Sequence, residues 1–212
     1  MTRGCFITIE GGDGVGKSSN IQAIVEVLRD AGLEAVVTRE PGGTELGEKL
    51  RELLLSGEDR LINPVPELLM MFAARVQHLQ ERIEPALAKG QWVVSDRFTD
   101  ASFAYQGGGR GLPISMLEQL EGFCLGGFKP DLTLLLDLDI GTAASRANQR
   151  GPQDRFEKQD GNFKQRVRQA YLARLQADPD RIKLIDAAQP LEAVNASVKA
   201  CVANFISSQS RK

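Results

Sequence analysis

Histidine occurs once in this chain, at His78, and cysteine three times, at Cys5, Cys124 and Cys201. A single imidazole leaves no material for a His-rich metal centre or a His-based catalytic relay, and its helical surroundings read as structural. Widely spaced cysteines, odd in number and without metal-ligand spacing, make neither a disulfide framework nor a zinc site. Reduced thiols fit a cytoplasmic protein. No apolar run reaches the roughly 18 residues that a transmembrane helix needs, and the opening Met-Thr-Arg-Gly-Cys runs straight into a strand-like segment, which reads as the absence of a signal peptide. A large charge of one sign is also missing. The 26 Lys and Arg nearly balance 28 Asp and Glu, for a net −2, which argues against a broad nucleic-acid-binding surface.

The remaining composition is ordinary for a folded protein: 42% hydrophobic and 25% charged over 212 residues. That suffices for one domain with a sizeable core. Continuous apolar runs at 5–10, 35–39, 92–95, 132–138 and 182–185 read as strands covered on both faces. Helix-period segments lie between and after them, at 17–31, 45–55, 66–89, 115–125, 142–150, 162–177 and 191–207, with Pro85 as a candidate break. Alternating strand and helix predicts an α/β fold, a five-stranded parallel sheet flanked by helices. The reading is one domain over 1–212, with a small lid at about 146–160.

Directly after the first strand stands Gly11-Gly12-Asp13-Gly14-Val15-Gly16-Lys17-Ser18, which fits G-x-x-x-x-G-K-[ST] without a gap. Glycines let the backbone curl so that N–H groups converge on an anion, and the following helix adds its positive end. Residues 11–19, through Ser19, are therefore candidates for holding a nucleoside triphosphate. Lys17 is placed to reach the β- and γ-phosphates, and Ser18 to help hold Mg²⁺. The motif alone does not separate kinases from GTPase switches or motor ATPases.

The third strand ends in Val94-Ser95-Asp96-Arg97-Phe98. Ligands of open parallel sheets sit beyond the carboxyl ends of the strands, so Asp96 is a candidate for the Mg²⁺ site and Arg97 for clamping a phosphoryl group. Glu10, Asp137 and Asp139 also lie at strand ends but rank lower. Residues 146–168 hold seven Lys/Arg against three acids in an otherwise acidic chain, which points to an anionic ligand. Arg146 and Arg150 share a helix face, Gly151-Pro152 breaks the helix, and Arg155 follows. A closing lid can bring such arginines to the transferring group.

Three further stretches suit a second nucleotide: 39–43 with the following Arg51, the helical Met71-Phe72-Ala73-Ala74-Arg75, and 102–106 followed by Gly107-Gly108-Gly109-Arg110-Gly111. They supply cations for a monophosphate, an apolar face for a base, and the polar groups of Ser102, Tyr105 and Gln106. Taken singly, Met and Phe at helix spacing read more readily as core, and the glycine run as a loop.

In this order and spacing, these stretches resemble the thymidylate kinase family from residue 6 to about 194. The resemblance implies a P-loop nucleoside monophosphate kinase fold, transfer of the ATP γ-phosphoryl to dTMP giving dTDP and ADP, Mg²⁺ as cofactor, and a homodimer. It implies that Asp13 approaches the 3′-hydroxyl of the acceptor sugar and that Arg51 and Arg97 hold the dTMP phosphate, with Arg39 and Glu40 shaping that loop. Arg75 would bond the thymine edge, with Ser102 and Gln106 nearby, and Tyr105 would crowd the sugar 2′ position. Some members carry an arginine within the phosphate loop, where this chain has Gly14. The bacterial type lacking it draws arginines from the lid, here Arg146, Arg150 and Arg155, and residues 186–190 would border the adenine. One departure is visible. The family's stacking phenylalanine falls on Met71, so either Met71 or Phe72 covers the base. The alternatives to this activity are another nucleoside monophosphate or deoxynucleoside kinase, or a P-loop ATPase switch.

Overall fold

The computed structural model describes residues 3–56, 61–148 and 153–209. Its elements, in chain order, are β1 (Phe6–Glu10), α1 (Lys17–Asp30), β2 (Ala35–Arg39), α2 (Glu45–Leu55), α3 (Pro64–His78), a π-helical turn (Leu79–Ile83), α4 (Glu84–Ala88), β3 (Trp92–Asp96), α5 (Thr99–Ser102), a second π-helical segment (Phe103–Gly109), α6 (Ile114–Leu125), β4 (Leu132–Asp137), α7 (Ile140–Asn148), α8 (Gly161–Ala177), β5 (Ile182–Asp186) and α9 (Leu191–Gln209). The strands form one five-stranded sheet in the order β2-β3-β1-β4-β5, parallel at every junction.

The two-residue period of a strand sends neighbouring side chains to opposite faces. In β1, Ile7 and Ile9 enter a core that also contains Ile24 and Leu28 of α1 and Val198 and Val202 of α9. Phe6 faces the other way, into a core with Phe72 of α3, Phe98 and Phe103. A third core gathers Leu135, Tyr105, Phe156, Phe163 and Tyr171 beneath α8. The three central strands are buried along nearly their whole length, whereas the edge strands β2 and β5 are partly exposed. Covering both faces therefore holds for β1, β3 and β4 and fails at the edges.

The long helix read at 66–89 is three consecutive helical segments. Pro85 sits in the first turn of α4, where the missing N–H costs least, and the π turn precedes it. The glycine run differs more. Residues 103–109 are helical, and they lie against α8 so closely that a Cβ on Gly108 would stand 2.6 Å from the Ala170 Cβ and one on Gly109 2.6 Å from the Phe163 ring. Glycine here lets two helical backbones approach, and it is neither a loop nor a phosphate cradle.

α2 and α8 have side-chain N-caps, Thr44 and Asp160. α1 has none, because Gly16 precedes it with φ of 95°. Its first N–H groups thus keep their hydrogen-bonding capacity for something outside the helix.

Candidate active site

The phosphate loop leaves the carboxyl end of β1 through three positive-φ glycines, Gly11 at 134°, Gly14 at 83° and Gly16 at 95°. Lys17 folds back over it, donating to the carbonyls of Gly11 at 3.1 Å and Gly12 at 2.8 Å. Burial, then the nearby Arg97, pulls the Lys17 pKa below its ordinary value, and Asp96, Asp13 and Glu10 partly offset this. Ser18 and Ser19 are exposed in the first turn of α1. Gly14 has no room for a side chain: a Cβ would meet the Ala143 carbonyl oxygen at 2.1 Å. Here α7 occupies the space an arginine would need.

β3 pairs with β1 so that Asp96 lies opposite Ile9. Arg97 continues the pairing by donating its N–H to the Ile9 carbonyl at 3.0 Å, yet its φ is +74°, a conformation side chains rarely adopt. The Phe98 N–H donates to Glu10 Oε1 at 2.7 Å, and the Tyr171 hydroxyl donates to Glu10 Oε2 at 2.8 Å. Arg97 in turn reaches Tyr171 Oη at 3.3 Å and Asp13 Oδ1 at 2.6 Å. Burial, then the nearby Asp100, pushes the Glu10 carboxyl up to about 8. Burial also raises Asp13, but Arg97, Lys17 and the Tyr105 hydroxyl outweigh it and hold that carboxyl below its ordinary range.

Asp96 keeps one buried carboxylate oxygen, Oδ1, without a hydrogen-bond partner. It lines the same cleft as Lys17 and Ser18. Among the described residues no group of three or more His, Cys, Asp and Glu is arranged to hold a metal. A site with one carboxylate and one hydroxyl suits Mg²⁺, which keeps waters and takes substrate phosphate oxygens as further ligands. The other strand-end acids are engaged elsewhere. Asp137 forms two 2.7 Å bonds with Arg168, and Asp139 caps α7 at the Thr142 N–H.

Across the cleft, Arg75 is buried and fully oriented. Its Nε donates to Glu40 Oε2 at 2.7 Å, Nη1 to Ser102 Oγ at 3.0 Å and Nη2 to the Phe98 carbonyl at 3.0 Å. Phe72 lies beneath the guanidinium, 4.8 Å from ring centroid to Cζ, and is 1% exposed. Met71, not Phe72, lines the cleft. Tyr105 donates to Asp13 Oδ2 at 2.9 Å and stacks with Arg97, whose Cζ is 4.7 Å from its ring centroid. Arg51 donates to the Pro41 carbonyl at 2.8 Å. Arg39 reaches Glu48 at 2.9 Å on the surface side while still lining the cleft. Gln106 donates its amide to Glu67 at 2.8 Å.

The three arginines that the sequence assigns to a lid divide. Arg146 donates to the Ala187 carbonyl at 3.0 Å, which brings it beside residues 186–190. Arg150, with Gly151 and Pro152, lies outside the described residues. Arg155 is 1% exposed and pairs with Glu67 at 2.8 Å and with the Leu54 carbonyl at 3.0 Å. In this structure its guanidinium therefore joins residue 155 to α2 and α3. Arg166 and Arg168 likewise bond protein acceptors, the Gly109 carbonyl and Asp137, so part of the basic segment serves helix packing. Glu67 and Tyr171 were not singled out by the sequence, because nothing local marks a buried Glu in a helix's first turn or a Tyr within a polar helix as a partner of remote arginines.

A parallel sheet with a phosphate loop after its first strand, faced by arginines across the same cleft, is the P-loop nucleoside monophosphate kinase fold. The same architecture occurs in the solved thymidylate kinase from Ehrlichia chaffeensis, with a TM-score of 0.76 at 30% identity, covering 94% of this chain and 98% of that one. The thymidylate kinase family profile matches residues 9–198. Similar curated proteins are the thymidylate kinases of Methylococcus capsulatus, 52% identical over 198 residues (93% of this chain, 94% of that one), and of Chromohalobacter salexigens, 52% identical over 212 residues (99% and 100%). The chain belongs to the thymidylate kinase family.

Proposed function

We propose that this enzyme transfers the γ-phosphoryl of ATP to dTMP, giving dTDP and ADP. The observation that carries the reading is a single cleft of about 940 Å³, solvent at its mouth included, shared by Lys17, Ser18 and Asp96 on one side and Arg51, Met71, Arg75, Arg97 and Tyr105 on the other. A donor triphosphate on the loop and an acceptor monophosphate held by arginines would meet across it. Such transfer needs positioning and charge neutralisation more than a base, because the acceptor phosphate is itself the nucleophile. That agrees with a cleft lined by no histidine.

In this reading residues 11–19 wrap the polyphosphate, and Lys17 neutralises charge at its β- and γ-groups. Arg97 and Arg51 hold the acceptor phosphate, and Asp13 meets the sugar 3′-hydroxyl. Arg75 reads the base edge and Met71 covers the ring. Ser18 and Asp96 would hold Mg²⁺, whose chemistry is to neutralise charge on the transferring phosphate oxygens. Arg146 and residues 186–190 flank the adenine, and Arg150 and Arg155 belong to a lid at about 146–160 of a single domain. A homodimer is supported by Leu53, Leu69 and Phe123, apolar side chains exposed on α2, α3 and α6. Among the described residues no helix is long and apolar enough to cross a membrane, and we place the enzyme in the cytoplasm, acting on ATP and dTMP without nucleic acid or membrane.

A coupled ADP-release assay with Mg-ATP and a panel of monophosphates tests the reading. Turnover is expected with dTMP above AMP, CMP, GMP and UMP. Equal or better turnover with another acceptor would overturn it, as would hydrolysis with no phosphorylated acceptor.

A further inference from the structure

The chain's single histidine stands in a relay of four side chains that ends on Arg75. His78 and Arg75 are three residues apart on α3 and so share a face of the helix. The imidazole is fully buried. Its Nε2 lies 2.6 Å from Thr38 Oγ1 and its Nδ1 3.0 Å from Glu40 Oε1. A carboxylate only accepts, so Nδ1 carries the proton and donates the hydrogen bond to Glu40, and the Thr38 hydroxyl is able to donate to Nε2. The second Glu40 oxygen accepts from Arg75 Nε at 2.7 Å.

The ring is also wedged. Gly43 has φ of +81°, and a Cβ there would stand 2.5 Å from the imidazole Cδ2 and Nε2. The relay therefore has one geometry. Arg75 gives Nε to Glu40 and one bond each from Nη1 and Nη2 to Ser102 and Phe98. A guanidinium has five N–H groups, so one on each terminal nitrogen remains for a ligand.

We propose that His78 is a positioning residue for acceptor binding: by holding Glu40 it fixes the plane of the Arg75 guanidinium toward the base edge of the monophosphate. The proposal rests on the reading of Arg75 as the base-edge contact. Without the imidazole, Glu40 Oε1 loses its buried donor, the carboxylate is free to turn, and Arg75 loses its fixed fork. Planar recognition by paired N–H groups depends on that orientation. In the proposed reading ATP is held by residues 11–19, none of which belongs to the relay.

Steady-state kinetics of His78→Leu, His78→Asn, Arg75→Ala and the His78→Leu/Arg75→Ala double variant test this. His78→Leu is expected to raise the dTMP KM about tenfold, the scale of one hydrogen bond to a charged group, and to leave the ATP KM unchanged. His78→Asn, whose side-chain amide is able to donate near the Nδ1 position, is expected to recover most of the loss. The double variant should match Arg75→Ala. An unchanged dTMP KM in His78→Leu, or multiplying effects in the double variant, overturns the proposal while leaving the Arg75 reading intact. An unchanged dTMP KM in Arg75→Ala overturns that reading, and the proposal with it. Should His78→Leu fail to fold, the wild-type protein decides: its one histidine gives one set of imidazole NMR signals, expected to shift on adding dTMP and not on adding a non-hydrolysable ATP analogue. Signals that ignore dTMP overturn the proposal.

Discussion

Asp13 Oδ1 accepts a 2.6 Å bond from Arg97 Nη2, joining the phosphate loop to the residue that follows β3. Tyr105 adds a 2.9 Å bond from the other side. One carboxylate thus ties the donor loop to the acceptor pocket, and its position depends on two elements more than 80 residues away in sequence. Removing Tyr105 is expected to loosen this corner and open the space where the sugar 2′ position would lie. In Tyr105→Ala the ratio of kcat/KM for dTMP over its ribonucleotide counterpart should fall, and an unchanged ratio in an initial-rate assay would show that another group selects the deoxy sugar.

Lys17→Ala should lower kcat on the order of 10²–10³, the cost of removing one charge clamp from a preorganised site. Among the described residues the lysine hydrogen-bonds the loop carbonyls of Gly11 and Gly12, so the thermal midpoint should move little. Wild-type kcat would refute the assignment.

Gly14 and Gly12 make a matched pair. A Cβ on Gly14 meets Ala143 and forces a side chain to φ of +83°, whereas one on Gly12 has nothing within 4 Å. Gly14→Ala should destabilise the fold by about 1–3 kcal/mol and weaken ATP binding. Gly12→Ala should leave stability near wild type. Chemical denaturation of both variants checks the contrast.

Met71 and Phe72 should separate by phenotype. Met71→Ala is expected to raise the dTMP KM, since Met71 lines the cleft, and to cost less stability than Phe72→Ala, since Met71 is 9% exposed against 1% for Phe72. Phe72→Ala should cost about 3–5 kcal/mol of stability, the range for emptying a buried aromatic site. Denaturation midpoints together with dTMP titrations decide between them, and a stability loss confined to Met71→Ala would reverse the assignment.

Glu10 predicts a pH dependence. Its carboxyl rises from 4.5 to about 8 on folding, so between these values the folded state holds a proton that the unfolded state releases. The stability this group contributes is complete below pH 4.5 and is lost as the pH rises through about 8. Glu10→Gln keeps a neutral group of the same shape, so its stability should decline less than that of wild type from pH 6 to pH 9, roughly the span of that transition. Parallel declines in denaturation midpoints would place the titration elsewhere.

Much of this architecture is legible in the chain. Continuous apolar runs gave the five strands, and α2 spans the 45–55 read from its periodicity. The phosphate loop is local by nature, since loop and following helix are contiguous in sequence. The edge strands look covered from sequence because hydrophobicity does not reveal a strand's place in the sheet. The π-helical turn at 79–83 escaped because it is about one turn long within a continuous helical stretch, and the segment at 103–109 escaped because its three glycines read as a loop. Arg155 shows the other limit: its charge is readable, but its buried contact with Glu67 joins residues distant in the chain.

By itself the sequence determined the alternation of strand and helix and the phosphate loop, because each depends on neighbours within a few residues. Tertiary structure alone decided which of Met71 and Phe72 faces the cleft, that Gly14 has no space beside α7, and which side chains orient Arg75 and Arg97. Those outcomes arise where distant segments compete for the same volume and the same hydrogen bonds, and close packing settles that competition only in the assembled fold.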